Sequence, residues 1–479
     1  TYIVTPRLAG GCANGTPVAT TVNVEPVPTM TRTLSTTSTI CNGNNVNFNL
    51  TTLTAPSVAG DIKWDLTVTQ TGGSGVVTGT AFANLTNQIF TAGVAILNGT
   101  LTTSGNTAAT VRFVFTPKLN GTSNCAGVAM APVDVVVEPT PTMTRVLTTA
   151  ATICNSGNIG FNLASLTNPS VGSDIKWDVA VTQTGGAGVV TGTAFANLTN
   201  QSFTAGVATL SGTLINSGTN SATVRFLFTP KLNGTSNCAG LAMVPVDVVV
   251  EPTPTMTRTL TTAAAICNGG NVNIDLTTLT SSSTASDIKW DVTVIEFTGT
   301  GSAGGTAFTN LSNQTFTAGV ATLNGTLINS SSTAIIVRFV FTPKLSGTSN
   351  CAGVAMAPID VVVEPTPTMT RTLTSSSTIC NGGNVSINLT TPTAPSVSAD
   401  IKWDVTVTQT GGAGVVAGTA FANLTNQSFT AGAAILNGTL TNSGTNSATV
   451  RFVFTPKLNG SSNCAGVALA PVDVIVEPT

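Results

Sequence analysis

Short runs in which apolar and polar residues alternate recur along the whole chain, and each run predicts a β-strand with one buried face. Residues 46–50 alternate in this way, and so do residues 62–68, where Trp64 falls on the apolar side. Residues 111–115 place Phe113 and its apolar neighbours on one face. Nothing in the chain has the 3.6-residue period of an amphipathic helix. The pattern therefore predicts an all-β protein.

Weaker patterns lie between these strands. Residues 94–97 and 100–103 flank the dipeptide Asn98-Gly99, which favours a type I′ turn, so we expect a hairpin there. Residues 128–137 predict the last strand, and residues 29–40 predict the first, with a weak alternation. Seven or eight short strands separated by turn residues are typical of an antiparallel β-sandwich.

The whole pattern returns four times at an interval of 113 residues. We expect one domain per interval, at residues 27–139, 140–252, 253–365 and 366–478. Residues 1–26 match only the end of a unit, so we expect them to form the last two strands of a preceding unit, and the sequence to be a piece of a longer protein. Two cysteine series keep the same interval: Cys41, Cys154, Cys267 and Cys380, and Cys12, Cys125, Cys238, Cys351 and Cys464.

The units are joined by a proline-rich segment that begins at Glu138-Pro139 in the first junction. Two prolines within five residues hold such a linker extended and semi-rigid. Strands of about ten residues make a domain roughly 30–40 Å long, so four in a row predict an elongated rod of about 150 Å. Repeat arrays generally act through length, stiffness and multiplicity rather than through one pocket.

Composition limits the function. Only 8% of the residues are charged and the net charge is −2, so the chain has no electrostatic footprint for nucleic acid. No apolar run approaches the 18 or so residues that cross a bilayer. The sequence has no histidine, so it lacks the Ser-His and Cys-His dyads of hydrolases. We expect no enzymatic activity, no cofactor and no metal. Regularly spaced cysteines in a charge-poor, Thr- and Asn-rich chain predict an extracellular, cell-surface location.

Several short motifs occur in a fixed order in the first unit: Thr39-Ile-Cys-Asn-Gly43, Ile62-Lys-Trp64, Phe115-Thr-Pro117, Cys125-Ala-Gly127 and Val135-Val-Val-Glu-Pro139. This order resembles the PKD-like and immunoglobulin-like repeats of Bacteroidetes surface proteins. Those repeats occur in very long adhesins exported by the type IX secretion pathway, gliding-motility adhesins among them. The resemblance implies a tandem β-sandwich fold, secretion, and a role in a stalk or adhesin. It transfers no catalytic residue.

Three disulfide connectivities fit the cysteine interval. Cys41 can bond to Cys125 within its own unit, to Cys12 across the preceding junction, or to Cys238 in the next unit. Ordinary immunoglobulin topology places Cys41 and Cys125 at opposite poles, which favours the bond to the next unit, because bridged Cα atoms lie within about 7 Å. A first segment without a clear strand pattern can also carry Cys41 along the domain. On that ground we favour the within-unit bond for all four pairs.

Charged and aromatic positions also repeat. Asp61, Lys63 and Asp65 share the outer face of the Trp64 strand, and Arg112 faces outward on the strand expected beside it. We interpret these four residues as a surface charge ladder rather than a cation site. The tryptophans are one position repeated, and the alternation turns them into the core rather than toward a sugar ligand: Trp64, Trp177, Trp290 and Trp403.

These observations favour a structural or adhesive stalk segment of a bacterial surface adhesin or extracellular filament. One alternative is an array of weak binding modules for surface glycans or matrix proteins, made effective by multivalency. Another is a self-assembling filament subunit that pairs edge strands between chains. The expected partners are therefore copies of the chain itself, neighbouring repeats, or extracellular glycans and proteins.

Overall fold

The computed structural model describes residues 1–7, 9–11, 13–299 and 302–479. The chain forms two compact units: unit 1 contains residues 1–185, 190–215 and 223–249, and unit 2 contains residues 186–189, 216–222 and 250–479. Repeats 1 to 4 denote below the four 113-residue intervals. Repeat 1 lies wholly in unit 1, and repeats 3 and 4 lie wholly in unit 2. The architecture is all-β, as the sequence predicts.

Residues 1–26 form an antiparallel pair, and repeat 1 forms the complete pattern that the other repeats follow. The pair is β1 (Tyr2–Val4) and β2 (Val18–Thr20). Repeat 1 contains a 3-10 turn (Ala59–Asp61) and the strands β3 (Met30–Leu34), β4 (Thr39–Cys41), β5 (Asn45–Thr52), β6 (Ile62–Gly72), β7 (Val77–Thr78), β8 (Leu85–Ile89), β9 (Val94–Thr100), β10 (Thr102–Thr103), β11 (Ala109–Leu119), β12 (Cys125–Ala126) and β13 (Val133–Glu138).

Repeat 1 is an immunoglobulin-like sandwich of two sheets. One sheet has the strand order β3-β5-β9, and the other has the order β4-β13-β11-β6-β8, with β12 beside β11. The strand β4 pairs with β13 in parallel. The pairs β13–β11 and β11–β6 are antiparallel. The N-terminal segment of the domain thus forms two strands: β3 belongs to one sheet and β4 to the other. This split carries Cys41 to the end of the domain where β13 finishes.

Large side chains from both sheets meet between them. Phe48 on β5 lies 5.0 Å from Phe113 and 5.1 Å from Phe115 of β11, measured between ring centroids. Trp64 on β6 packs 5.9 Å from Phe115 and is only 4% exposed. Its indole Nε1 is buried without a hydrogen-bond partner, so the ring serves as apolar volume. The alternation of apolar residues in β5, β6 and β11 places these rings inside.

Three strand predictions were wrong. The predicted first strand, residues 29–40, is two strands, β3 and β4, in different sheets. Asn98-Gly99 lies inside β9, where Gly99 is in register with Val46 of β5. A Cβ at Gly99 would lie 2.8 Å from the backbone nitrogen of Ala81, so this glycine permits close approach rather than a turn. The tight turn lies earlier, at Ala92-Gly93, where both residues have positive φ angles of 50° and 81°. The predicted last strand is also shorter and begins only at Val133.

The remaining repeats contain the corresponding elements. In repeat 2 these are Gly172–Asp174 (3-10), β14 (Met143–Leu147), β15 (Thr152–Ile153), β16 (Gly157–Ser165), β17 (Ile175–Gly185), β18 (Val190–Thr191), β19 (Leu198–Ser202), β20 (Val207–Asn216), β21 (Ala222–Leu232) and β22 (Val246–Val250). In repeat 3 they are Ala285–Asp287 (3-10), β23 (Met256–Leu260), β24 (Ala265–Ile266), β25 (Asn271–Thr278), β26 (Ile288–Thr298), β27 (Ala303–Gly304), β28 (Leu311–Thr315), β29 (Val320–Thr326), β30 (Ile328–Asn329), β31 (Ile335–Leu345), β32 (Cys351–Ala352) and β33 (Ile359–Val363). In repeat 4 they are Ser398–Asp400 (3-10), β34 (Thr370–Leu373), β35 (Thr378–Ile379), β36 (Asn384–Thr390), β37 (Ile401–Gly411), β38 (Val416–Ala417), β39 (Leu424–Ser428), β40 (Ala433–Thr439), β41 (Thr441–Asn442), β42 (Ala448–Leu458) and β43 (Val472–Val476).

Candidate functional site: the junction between successive repeats

Disulfides join successive repeats. In unit 1, Cys41 of repeat 1 is bonded to Cys238 of repeat 2, and the Cα atoms lie 5.5 Å apart. In unit 2, Cys267 of repeat 3 is bonded to Cys464 of repeat 4 with the same Cα separation of 5.5 Å. Each bond spans 197 residues. We call such a bond between a cysteine of one repeat and a cysteine of the next a staple.

The other cysteines divide into bonded and free. Cys154 and Cys351 are disulfide-bonded, whereas Cys125 and Cys380 are free thiols. Cys12, with the expectations that involve it, lies outside the described residues. Because disulfides form and persist in oxidising compartments, the bonded cysteines indicate a location outside the cytosol.

The favoured within-unit bond was wrong, and the strand registers explain why. Cys41 pairs with Glu138 at the end of β13, one step beyond the level at which Val137 pairs with Ala109. Cys125 pairs with Leu119, at the other end of β11. Ten residues of strand separate these levels, which is roughly 33 Å at 3.3 Å per residue. Cys41 and Cys125 therefore lie at opposite poles of repeat 1, too far apart to be bonded.

A backbone bridge supports the staple in unit 1. The N–H of Ala108 in repeat 1 donates to Asn168 O in repeat 2 over 3.1 Å, and the N–H of Asn168 donates to Asn106 O over 2.8 Å. In addition, Asn42 Nδ2, next to the staple, donates to Thr140 Oγ1 in the linker over 3.0 Å. The junction is thus held on the loop side as well as at the disulfide.

A buried glutamate closes the same junction. Glu138, at the end of β13, is only 1% exposed, and its carboxylate accepts the backbone N–H of Ser170 over 3.1 Å and the Ser170 hydroxyl. Such charge-assisted hydrogen bonds are stronger than those between neutral groups. We call the glutamate–serine contact and the backbone bridge together the junction clamp.

Unit 2 contains the same chemistry between repeats 3 and 4. The N–H of Ala334 donates to Ala394 O over 2.9 Å, and the N–H of Ala394 donates to Ser332 O over 2.8 Å. Glu364 is 1% exposed and accepts the N–H of Ser396 over 3.0 Å. Staple and clamp therefore occur together at both junctions, which indicates a regular feature of the repeat rather than one chance contact.

The staple rests on a small apolar patch. Cys238 packs with Ile175 and Leu232 of repeat 2, and Cys41 of repeat 1 and Phe203 lie against them. The corresponding cluster in unit 2 consists of Ile401, Leu458 and Cys464, with Cys267 and Phe429 beside it. Beside the unit 1 staple lies an open cleft of about 500 Å³, lined by polar residues such as Thr37, Asn44 and Thr235.

The four residues of the predicted charge ladder take part in separate interactions. Arg112 makes a two-pronged pair with Asp134, with both N–O distances at 2.8 Å. In register Arg112 lies opposite Thr69 of β6, four residues and roughly 13 Å along the strand from Asp65. The ladder prediction is therefore corrected: Arg112 is too far along the sheet to bridge Asp61 and Asp65. Its hydrogen bond to Asp134 lowers the pKa of that carboxyl below its ordinary value.

Asp65 and Lys63 lie toward the pole of repeat 1 that carries Cys125. Asp65 accepts Lys118 Nζ over 2.6 Å with one carboxylate oxygen and the N–H of Asn87 over 2.7 Å with the other. Lys63 is in register with Lys118 and Ile89. In repeat 2 the residue at the Ile89 position is Ser202, and Lys176 donates to its hydroxyl over 2.9 Å. These contacts hold the edge strand to its neighbour in the sheet: β8 to β6 in repeat 1, and β19 to β17 in repeat 2.

Asp61 is buried rather than part of a surface ladder. It is 6% exposed, and its Oδ2 accepts the backbone N–H groups of Thr122 over 2.8 Å and Ser123 over 3.2 Å. Gly121 makes room for it, because a Cβ there would lie 2.0 Å from Asp61 Oδ1. Asp61 thus holds the loop that presents Cys125. Asp61 was assigned to the surface from the sequence because strand alternation does not show the loop that folds over it.

We expect Asp61→Ala to destabilise repeat 1 by about 1–3 kcal/mol, because it leaves two backbone N–H groups without their acceptor. The midpoint of urea unfolding, followed by tryptophan fluorescence, measures this change. Asp134→Asn is the matched control: it affects a half-exposed ion pair, whose contribution to stability is kept small by solvent screening. Equal losses for both variants would contradict the role assigned to Asp61.

The described residues contain no group of three or more His, Cys, Asp and Glu side chains that could hold a metal ion. Among the same residues, no helix is long and apolar enough to span a membrane. The tryptophan position is buried in every repeat, with 3–4% exposure at Trp64, Trp177, Trp290 and Trp403. None of these indoles is placed to stack on a sugar.

No protein-family model matches the chain, and no curated protein matches its sequence. Solved structures give weak matches. Native Escherichia coli α2-macroglobulin is 8% identical, with 95% of this chain and 40% of that chain covered and a TM-score of 0.20. A marsupial T cell receptor is 9% identical, with 70% and 99% covered and a TM-score of 0.27. The FN1–FN3 domains of chicken CNTN1 are 10% identical, with 71% and 99% covered and a TM-score of 0.21.

This chain spans about 40% of the length of the α2-macroglobulin structure that it matches. At TM-scores of 0.20 to 0.27 these likenesses carry no argument about function. The assignment of an immunoglobulin-like β-sandwich rests on the strand order and registers of the chain itself.

Proposed function

We propose that this chain is a structural stalk segment of a large bacterial cell-surface adhesin or extracellular filament. The observation that supports this proposal is the recurring junction, in which a staple and a clamp hold one repeat to the next at several points. A staple limits how far two repeats separate under load, and a clamp on the other side of the linker limits how far they bend. The proposal includes secretion by the type IX pathway, because the repeats resemble those of adhesins that this pathway exports.

The same observation favours a non-enzymatic role. The same joint recurs between repeats 1 and 2 and between repeats 3 and 4, whereas an active site is a single constellation. The sequence has no histidine to act as a general base. The carboxylates of Asp61, Asp65 and Glu138 are engaged in holding loops and strands together.

Small-angle X-ray scattering tests the stalk proposal. A rod of about 150 Å, as four domains in a row predict, has a radius of gyration of about 43 Å. A compact globule of 479 residues has one of about 23 Å. We expect the larger value in oxidising buffer. A radius near 23 Å would contradict the proposal.

A second candidate is a multivalent binding array. A polar cleft of about 390 Å³ beside Cys238 is lined by Asp178, Asn200 and Lys231, and the corresponding residues of repeat 4 line one of about 410 Å³. Weak sites repeated in this way gain affinity when several bind together. A screen against glycans and matrix proteins tests this candidate, with Lys231→Ala and Lys457→Ala combined as the variant. Binding that survives the combined variant would exclude the clefts.

A further inference from the structure

The first strand of every repeat is the edge of its sheet. The strands β3, β14, β23 and β34 each stand at one end of the strand order, with a single neighbour. The free side of such a strand presents backbone N–H and C=O groups that can pair with a strand of another chain. Soluble β-proteins protect their sheet edges against this kind of pairing.

The hydrogen bonds at both ends of β3 show which of its backbone groups face outward. The N–H of Leu53 donates to Thr29 O over 3.0 Å, and the N–H of Ser35 donates to Asn47 O over 2.9 Å. Bonded and non-bonded positions alternate along an antiparallel pair. The odd-numbered residues of β3 therefore bond to β5, and the even-numbered residues turn their N–H and C=O groups toward the open side.

An arginine points inward from this edge strand. Arg32 shares its face of β3 with Met30 and Leu34, which pack in the core of repeat 1, and it is in register with Leu50, which is 1% exposed. An apolar side chain is expected at such a position. The same arginine recurs opposite a buried leucine in each later repeat, at Arg145, Arg258 and Arg371. We call these four residues the inward arginines.

The inward arginines have no carboxylate partner among the described residues. By contrast, Arg112 and its counterparts on β21, β31 and β42 are each paired with an aspartate. Each inward arginine also has a buried guanidinium nitrogen without a hydrogen-bond acceptor in the described part of the chain, Nη1 in Arg32 and Nε in the other three. A buried donor without an acceptor destabilises the folded state. Burial also lowers the pKa of Arg32 and Arg145 below the ordinary value.

A common stabilising contact does not account for the recurrence of this arginine. Arg258 Nη2 donates to Ala357 O, and Arg371 Nη2 donates to Pro471 O over 3.3 Å. Arg32 and Arg145 make no corresponding bond to any described residue. A residue that occupies a core-facing position in all four repeats, without an ion pair, therefore calls for a role other than stability.

We propose that the inward arginine keeps the open edge of each repeat from pairing with the same edge of another chain. A strand added to β3 would place an inward side chain about 5 Å from that of Arg32 and would remove water from the guanidinium. If the added strand were another β3, its own arginine would lie at the same level or at the next one along that face. Two like charges would then face each other without a carboxylate between them, which destabilises the pair.

The repeats make this protection necessary, because the same edge occurs four times in each chain. Misassembly between similar units is a characteristic failure of repeat proteins, and inward-pointing charges on edge strands are a known device against it. On this proposal β3 is not the strand through which chains assemble. The inference goes beyond the stalk role, because it concerns how copies of the chain stay apart, whatever the chain binds.

Sedimentation velocity tests the proposal on the full chain, with every free thiol alkylated so that no disulfide forms between chains. One variant replaces all four inward arginines by methionine, which has a similar length and no charge. We expect the wild-type chain to be monomeric and the weight-average mass of this variant to rise at least about twofold. Arg145→Met alone unblocks one edge per chain and should give dimers and nothing larger.

Two matched controls separate the charge from added apolar surface. Lysine at all four inward positions keeps the positive charge, and this variant should stay monomeric. Methionine at the adjacent outward positions of the same strands should also leave the chain monomeric: Thr31, Thr144, Thr257 and Thr370. Hydrogen exchange measured by mass spectrometry locates the contact, because peptides from the unblocked edge strands should gain protection in the oligomer.

The folding of each variant is checked by the Cys41–Cys238 peptide in a non-reducing digest, which should remain. In dilute solution the urea midpoint of Arg145→Met should equal or exceed that of the wild type. A folded four-methionine variant with the wild-type mass would overturn the proposal. So would an Arg145→Met chain that is less stable and monomeric, since its arginine would then be a structural residue. Equal association of the lysine or threonine-position variants would show that charge does not protect the edge.

Discussion

Replacing Phe115 by alanine is expected to destabilise repeat 1 by about 3–5 kcal/mol. The ring is 0% exposed and is packed between Phe48 and Trp64 from different strands, so its removal leaves a cavity that both sheets border. A domain of this size has a total stability of about 5–15 kcal/mol. The substitution therefore removes a large share of what keeps the repeat folded.

Hydrogen exchange measured by mass spectrometry shows where the loss falls. Peptides from β5, β6 and β11 should lose protection, while peptides from repeat 4 keep theirs, since each repeat buries a core of its own. Val114→Ala is the matched control, because Val114 lies on the same strand and faces outward. Uniform loss of protection through repeats 1 to 4 would show that the chain unfolds as one cooperative block, contrary to this expectation.

The core could be predicted from the sequence because its signal is local. Alternation with period two sets which face of a strand is buried, and the heavy residues of β5, β6 and β11 all fall on one side of it. Trp64, Phe113 and Phe115 were assigned to the interior for this reason. The sandwich follows, because strands with one apolar face have few ways to cover it.

The turn at Asn98-Gly99 shows where local signals fail. The dipeptide favours a type I′ turn when nothing else acts on it. Here the backbone at Ala81 passes so close to β9 that only glycine fits at position 99. Glycine is favoured both in type I′ turns and where two backbone segments approach closely. Which of these applies at Gly99 depends on Ala81, 18 residues earlier in the chain. Tertiary packing decided the outcome, as it often does against a local preference.

The junction was missed for a related reason. Glu138 and Ser170 repeat with the same interval as every other residue, so their spacing does not distinguish a clamp from a surface charge. The buried state of the carboxylate arises only when two repeats meet. The cysteine pairing likewise depended on whether the first segment is one strand or two, and its weak alternation left that open. The split into β3 and β4 decides it.

Replacing both Cys41 and Cys238 by serine is expected to destabilise the repeat 1–repeat 2 pair by about 2–4 kcal/mol. The chain-entropy argument for a bond that closes 197 residues gives about 5 kcal/mol, and this is an upper bound. Each repeat has its own core, and the clamp already keeps the two repeats close in part of the unfolding ensemble. The urea midpoint measured without reductant should fall accordingly, and cleavage of the linker at residues 139–142 by a protease should become faster.

The matched controls come from the chain itself. Cys125→Ser removes a free thiol and should leave the midpoint and the cleavage rate unchanged in the monomer. Replacing Cys267 and Cys464 by serine should produce the same loss for repeats 3 and 4, because that junction has the same clamp. If the Cys41/Cys238 double variant keeps both the wild-type midpoint and the wild-type cleavage rate, the clamp alone fixes the junction. In that case the staple contributes nothing to the stiffness on which the proposed stalk depends, and its value would lie only in resisting extension under force.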